Sequence, residues 1–203
     1  SLAMRLKAGG ITPFIHFANG GYWPIMARTW QVQHSGEEYF YNNYLHLKDS
    51  EGNSPSKAIL LNEDKSDGRY QVLTVLEKIL HPQYVVSGSN SGVFTSQQTK
   101  FLSGHGAMMS NGTWLYNEMK TNSGANNFSF RLMKTPVIST IIDRLEEVED
   151  DRELSALIAA VDAAGADRDA VAVSGSGYSV SQRDVDDVFR ARNLMFNISD
   201  ENV

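Results

Sequence analysis

Residues 101–119, FLSGHGAMMSNGTWLYNEM, contain the succession of elements that decides the fold. The stretch opens as the end of a helix, which we expect Gly104 to stop. A short apolar strand is predicted over residues 105–110, and an Asn-Gly turn then leads to Trp114 at the start of another helix. A helix, a strand and a helix in this order are typical of an α/β chain.

The rest of the chain continues this pattern. Residues 11–17, ITPFIHF, are apolar and rich in β-formers, and in residues 128–133 apolar and polar side chains alternate, so both runs predict strands. Helical stripes follow Pro24, occupy residues 38–47 and 70–80, and recur before Gly165 and after Ser181. We therefore expect one compact, helix-rich α/β lobe whose small sheet includes residues 11–17, 105–110 and 128–133.

Two helix starts carry capping signals. Thr95 with Gln98 three places later predicts a capping box at the start of the helix that precedes Gly104. Ser181 with Asp184 predicts a cap on the last helix, where an acid near the N-terminus is favourable. The acidic run at residues 146–153 is predicted to be a solvated loop followed by the negative first turn of a helix.

Composition excludes several classes of function. The chain has 203 residues, a net charge of -6 and no cysteine. No basic stripe gathers on one helix, which argues against a nucleic-acid partner, and the lack of cysteine excludes disulfides and a thiol nucleophile. No apolar run reaches membrane-spanning length, and the first ten residues lack the apolar core of a secretory signal. Both ends look cut, so we expect the chain to be part of a longer protein.

The motifs of common enzyme classes are missing from the sequence. The five histidines are scattered, none is paired at a metal-binding helix spacing, and neither a nucleophile elbow nor a phosphate-binding glycine loop occurs. The carboxylates that lie close in sequence belong to the acidic run, where solvation is the default. We therefore predict a protein without catalytic residues, metal site or cofactor, although the sequence does not exclude carboxylates that pair across the fold.

Aromatic side chains on turns are the main binding signal. Tyr22 and Trp23 follow a Gly-Gly turn and Trp114 follows an Asn-Gly turn, each before a helix. Flat rings suit the apolar faces of a pyranose, and short polar side chains such as Asn19 and Asn111 suit its hydroxyls. The alternative is that these rings are structural, with Trp114 sealing a strand–helix corner and the other two packing on the neighbouring strand.

The same stretch resembles the sugar-contacting turn of the extracellular solute-binding proteins of carbohydrate ABC transporters (family 1 type). In that family a helix ending in Phe-Leu-x-Gly is followed by Gly-x-Ala-Met and Asn-Gly-x-Trp. The matching residues in this chain are Phe101, Leu102, Gly104, Gly106, Ala107, Met108, Asn111, Gly112 and Trp114.

Other segments resemble the same family in the same order. Residues 9–30, GGITPFIHFANGGYWPIMARTW, are similar to the segment that enters the second lobe, and residues 128–139 are similar to the strand and proline-containing crossover after the Trp turn. Residues 178–193 resemble a late helix of Gram-positive members. The resemblance implies a type II periplasmic-binding-protein-like C-terminal lobe with a small mixed sheet, spanning residues 1–203.

This resemblance implies a function without chemistry. The family binds a sugar or oligosaccharide between two lobes and delivers it to ABC transporter permease subunits, so the implied ligand-binding residues are Trp114, Tyr22, Trp23, Asn111 and Asn19. It implies an extracellular lipoprotein of a Gram-positive bacterium, or a periplasmic protein of a Gram-negative one. The N-terminal lobe and the membrane anchor would lie outside this chain. The alternatives are an accessory lobe of a carbohydrate-active enzyme and a surface interaction module.

Overall fold

A computed structural model of the chain describes residues 2–17, 22–121, 129–171 and 180–194, and these are helix-rich. The α-helices among them are α1 (Leu2–Ala8), α2 (Trp23–Ser35), α3 (Glu37–Tyr39), α4 (Lys57–Leu60), α5 (Gly68–Ile79), α6 (Phe94–Leu102), α7 (Leu115–Met119), α8 (Asp151–Ala164) and α9 (Gln182–Arg192). A π-helix, Phe40–Leu45, follows α3. Among the described residues, 3₁₀ segments lie between other α-helices, at Ser89–Ser91, Ser139–Arg144 and Arg168–Ala170.

The chain divides into two compact units. Unit 1 comprises Ser1–Ala27 and Val72–Met133, and unit 2 comprises Arg28–Gln71 and Lys134–Val203. Helices α2 and α5 each contribute residues to both units. Each unit has a buried apolar cluster of its own.

The sheet of unit 1 is smaller than predicted. Its strands, β1 (Phe14–Ile15) and β2 (Met108–Met109), pair in parallel, with Phe14 opposite Met108. The predicted strands at 11–17 and 105–110 therefore exist and pair, but only their central residues form the ladder. On its other side β1 makes a single parallel bridge, from Phe14 to Val85.

The third predicted strand, residues 128–133, is not a strand. Residue 128 lies outside the described residues, and 129–133 are irregular. Instead of pairing through its backbone, this segment contributes the ring of Phe130, which meets Phe101 with centroids 6.2 Å apart. The alternation of apolar and polar residues thus reflects one inward-facing aromatic side chain, while Met133 is exposed.

Helix α6 ends where the sequence predicts and begins elsewhere. Gly104 adopts φ 78°, the left-handed conformation that glycine favours after a helix. The predicted capping box of Thr95 and Gln98 is wrong. Helix α6 begins at Phe94, and its N-cap residue is Val93, whose apolar side chain cannot accept a hydrogen bond. Gln98 is buried within the helix instead.

The core of unit 1 fixes helices α6 and α7 beside the sheet. Its fully or nearly buried members come from β1, α6 and α7 and are Ile15, Phe101, Leu102, Leu115 and Met119. Leu115 and Met119 are one helical turn apart, so they form the buried face of the short helix α7. The other face of α7 is directed to solvent, and that face carries the residues of interest below.

Unit 2 has a helical core between α8 and α9. Its buried members are Ile141, Val148, Leu154, Leu157, Val161, Val185, Val188 and Ala191. The predicted cap of α9 is confirmed, since the Ser181 hydroxyl accepts a hydrogen bond from the Asp184 amide at 3.0 Å. The fully buried Asp184 carboxylate also accepts three backbone N–H groups, from Glu146 (2.7 Å), Glu147 (2.8 Å) and Val148 (3.2 Å).

The predicted helix at 38–47 is a short α-helix that continues as the π-helix. Within unit 2 the hydroxyl of Tyr44, in this π-helix, donates to Asp67 at 3.0 Å. Burial raises the pKa of Tyr44 to about 12. The phenol therefore keeps its proton at neutral pH and remains a hydrogen-bond donor. Among the described residues no helix is long and apolar enough to cross a membrane.

Candidate functional site

Four aromatic side chains of unit 1 form a cluster, which we call the aromatic platform: Phe17, Tyr22, Phe94 and Trp114. Tyr22 lies at its centre, with ring centroids 5.8 Å from Phe17, 6.3 Å from Phe94 and 5.0 Å from Trp114. Each of these contacts is edge-to-face, the geometry that aromatic pairs prefer. The structure thus brings together Tyr22 and Trp114, which are 92 residues apart in the sequence.

Trp114 is the exposed edge of the platform. Its indole Nε1 donates to the Tyr22 hydroxyl at 3.0 Å, and its six-membered ring lies over Gly112. The side chain nevertheless remains 40% exposed. A large ring that is held on two sides and still open to solvent is a preformed surface for a flat, partly apolar ligand.

Gly112 is required by the Trp114 ring itself. A Cβ at position 112 would lie 2.2 Å from the nearest carbon of that ring. The space beside Gly112 is occupied by the Trp114 ring. The neighbouring amide is also fixed locally, because Asn111 Oδ1 accepts from the Gly112 N–H at 2.8 Å.

The Gly112→Ala variant is expected to move the Trp114 ring while leaving the fold intact. The added methyl group collides with the Trp114 ring, which must give up its hydrogen bond and ring contact with Tyr22 to turn toward solvent. We expect the free energy of unfolding to change by about 1 kcal/mol or less. The near-UV circular dichroism of Trp114 should change clearly, because the ring leaves Tyr22. A spectrum identical to wild type would contradict this packing of the ring over Gly112.

Of the two asparagines predicted to contact sugar hydroxyls, the structure describes only Asn111. Asn111 is half-buried in the turn before Trp114, and its Nδ2 lies 3.8 Å from Met109 Sδ. Its side-chain oxygen is used by the Gly112 amide, so the Nδ2 group is the part that can donate to a ligand. Asn19 lies outside the described residues.

Trp23 does not share the exposure of its neighbour. It is only 8% exposed and packs edge-to-face on Phe14 of β1, with centroids 6.3 Å apart. The ring is therefore buried rather than open to solvent, and the structural alternative, packing on the neighbouring strand, describes it. Its position as the first residue of α2 directs the ring toward the sheet while Tyr22, one residue earlier, faces Trp114.

A polar pair lies one helical turn from the aromatic platform. Gln98 Nε2 donates to Glu118 Oε2 at 2.8 Å, which joins α6 to α7. Gln98 is fully buried, whereas Glu118 is exposed. Sequence reasoning missed this pair and also missed Phe17 and Phe94. The spacing in the sequence could have indicated these residues. Phe94 and Gln98, like Trp114 and Glu118, are four residues apart and so share one helix face.

The platform and the polar pair offer binding groups of two kinds: aromatic rings and hydrogen-bonding side chains. In residues 2–17, 22–121, 129–171 and 180–194 no group of three or more histidine, aspartate or glutamate side chains is arranged to hold a metal ion. Comparisons with protein-family models, with curated proteins and with solved structures find no match to this chain.

Proposed function

We propose that this chain binds a sugar or oligosaccharide on the aromatic platform, as one lobe of an extracellular solute-binding protein that delivers its ligand to an ABC transporter permease. In this proposal the protein is not an enzyme and uses no cofactor. Its partners are the carbohydrate, the permease subunits and a second lobe that closes over the ligand. The membrane is reached only through an anchor outside this chain.

The single observation that carries the proposal is the packing of Trp114. Its ring is fixed by the Tyr22 hydroxyl and by Gly112, yet 40% of the residue stays exposed to solvent. Exposing a large aromatic ring costs free energy, because apolar surface remains in water. Holding that ring rigid lowers the entropic cost of placing a ligand on it. A pyranose has C–H faces that match such a ring in size and polarity.

The sequence resemblance supplies the rest of the proposal. The turn that carries Trp114 is the segment most similar to the sugar-contacting turn of the family, and the platform places Tyr22 beside it. Trp23 is buried against Phe14 and is not part of the platform, and Asn19 lies outside the described residues. We therefore assign ligand contact to Trp114 and Tyr22, with the amide of Asn111 as a polar group in the same turn.

Fluorescence quenching tests the proposal, because the three tryptophans differ in exposure. Trp23 and Trp30 are 8% and 4% exposed, whereas Trp114 is 40% exposed, so acrylamide should quench mainly Trp114. Saturating amounts of a bound oligosaccharide should protect this ring and reduce the quenching. We expect both the quenchable signal and its protection to be lost in the Trp114→Phe variant. If a panel of neutral oligosaccharides leaves acrylamide quenching of the wild type unchanged, the proposal is contradicted.

A further inference from the structure

Where α6 meets α7, the two helices carry an aromatic end and a polar end, and of the polar residues Gln98 is buried while Glu118 is exposed. Phe94 and Trp114 form the aromatic end, and Gln98 and Glu118, each four residues later, form the polar end. Within α7 the Glu118 amide donates to the Trp114 carbonyl at 3.0 Å, which sets the two side chains one turn apart. Because Leu115 and Met119 are buried, Trp114 and Glu118 share the exposed flank of the helix.

A hydrogen bond from the buried side chain of Gln98 positions the Glu118 carboxylate. Gln98 donates to Oε2 of the carboxylate and is itself fully buried, so its position is fixed by the packing around α6. Among the described residues Gln98 Oε1 has no hydrogen-bond partner, although it is buried. A buried amide with an unused oxygen costs free energy.

The carboxylate is left with accepting capacity. Gln98 engages one of its two oxygens, and each carboxylate oxygen can accept two hydrogen bonds. An ionised carboxylate accepts hydrogen bonds and donates none, so it suits hydroxyl or ammonium groups and repels a second carboxylate. Since Gln98 already fixes its rotamer, less entropy is lost when a ligand binds.

We infer that Glu118, positioned by Gln98, is a ligand-recognition residue that makes the aromatic platform select neutral and amino sugars over uronic acids. This inference rests on the proposed function. A pyranose on Trp114 that extends along α7 directs hydroxyl or amino groups at the Glu118 carboxylate. A uronic acid in the same position places its own carboxylate there and loses affinity.

The Glu118→Gln variant tests this selectivity by calorimetry with three trisaccharides of the same β-linkage, made of glucose, glucosamine or glucuronic acid. The glutamine keeps an oxygen that accepts from Gln98, so the geometry is retained while the charge is removed. We expect the wild type to bind the glucuronic acid trimer at least about tenfold more weakly than the glucosamine trimer. In Glu118→Gln the affinity for the glucosamine trimer should fall about tenfold, and the discrimination should shrink.

A matched control separates a local effect from a change in net charge. Glu77 is an exposed carboxylate on α5 in the same unit, and Glu77→Gln should bind all three trisaccharides like the wild type. The inference is overturned if the wild type binds the glucuronic acid trimer as tightly as the glucosamine trimer, or if Glu118→Gln leaves all affinities unchanged while Trp114→Ala abolishes binding. Failure of the folded wild type to bind any of the three contradicts the proposed function as well.

Discussion

Replacing Asp184 with alanine is expected to lower the free energy of unfolding of unit 2 by about 3 kcal/mol or more. The carboxylate is fully buried and accepts the backbone N–H groups of three successive residues, Glu146, Glu147 and Val148. Alanine leaves these three donors without their acceptor, and hydrogen bonds to a charged group are worth about 1.5–3 kcal/mol each in proteins, although such contributions do not add fully. It also removes a negative charge from the first turn of α9, where the helix dipole favours one.

Urea unfolding followed by far-UV circular dichroism measures this change. The matched control is Asp186→Ala, two residues further along α9. Asp186 pairs with Arg168 at 3.3 Å, and both side chains are partly exposed, so its loss should cost about 1 kcal/mol or less. In native-state hydrogen exchange the amides of Glu147 and Val148 should lose protection in Asp184→Ala. A variant as stable as Asp186→Ala would show that the buried carboxylate does not hold this turn.

Asp184 shows how far the sequence predicts unit 2. The pattern from Ser181 to Asp184 predicts the helix cap, and the structure confirms it. The same pattern gives no sign that the carboxylate also binds the backbone of the acidic run, because this contact joins residues 36–38 apart. The acidic run is predicted to be a solvated loop and an acidic first helical turn, and its acidic side chains at 146, 147, 149 and 150 are exposed before α8 begins. The backbone amides at its start nevertheless bind the buried Asp184 carboxylate. Local sequence rules describe local caps, whereas contacts between distant segments depend on packing.

In the candidate site of unit 1, too, the sequence predicts local features but not contacts between distant segments. The exposed Trp after a turn is visible in the sequence, since a large aromatic residue beside Asn-Gly stands out locally. The burial of Trp23 is not visible, because adjacent residues at a helix start point in different directions and only the sheet decides which is covered. Gln98 fits a local capping rule at its spacing from Thr95, but its tertiary partner is Glu118.

Replacing Trp114 with alanine is expected to reduce the affinity for oligosaccharide by about thirtyfold or more. Truncating an aromatic anchor of a binding surface typically costs about 2 kcal/mol or more, and about 1.4 kcal/mol corresponds to a factor of ten. The variant removes the ring that we propose to stack on the sugar, and it also frees the Tyr22 hydroxyl. The fold should persist, because the lost side chain is exposed and the core residues Leu115 and Met119 remain. We expect the free energy of unfolding to fall by about 1 kcal/mol.

Tyr116→Ala is the control that the chain itself offers. Tyr116 lies two residues from Trp114 on the same helix, is also aromatic and is 65% exposed. Two residues along a helix turn the side chain to a different face, so Tyr116 does not share the flank of Trp114 and Glu118. Its removal deletes a similar area of exposed aromatic surface without touching the platform, and sugar affinity should therefore stay within about twofold of wild type.

Calorimetric titration of the wild-type chain, Trp114→Ala and Tyr116→Ala with the same neutral oligosaccharide tests the proposed sugar-binding surface most directly. We expect a saturable isotherm for the wild type, an indistinguishable one for Tyr116→Ala, and no measurable binding for Trp114→Ala at the same concentrations. Circular dichroism should show all three proteins folded. Equal affinity of wild type and Trp114→Ala, or loss of binding in Tyr116→Ala alone, would contradict a sugar site on the aromatic platform.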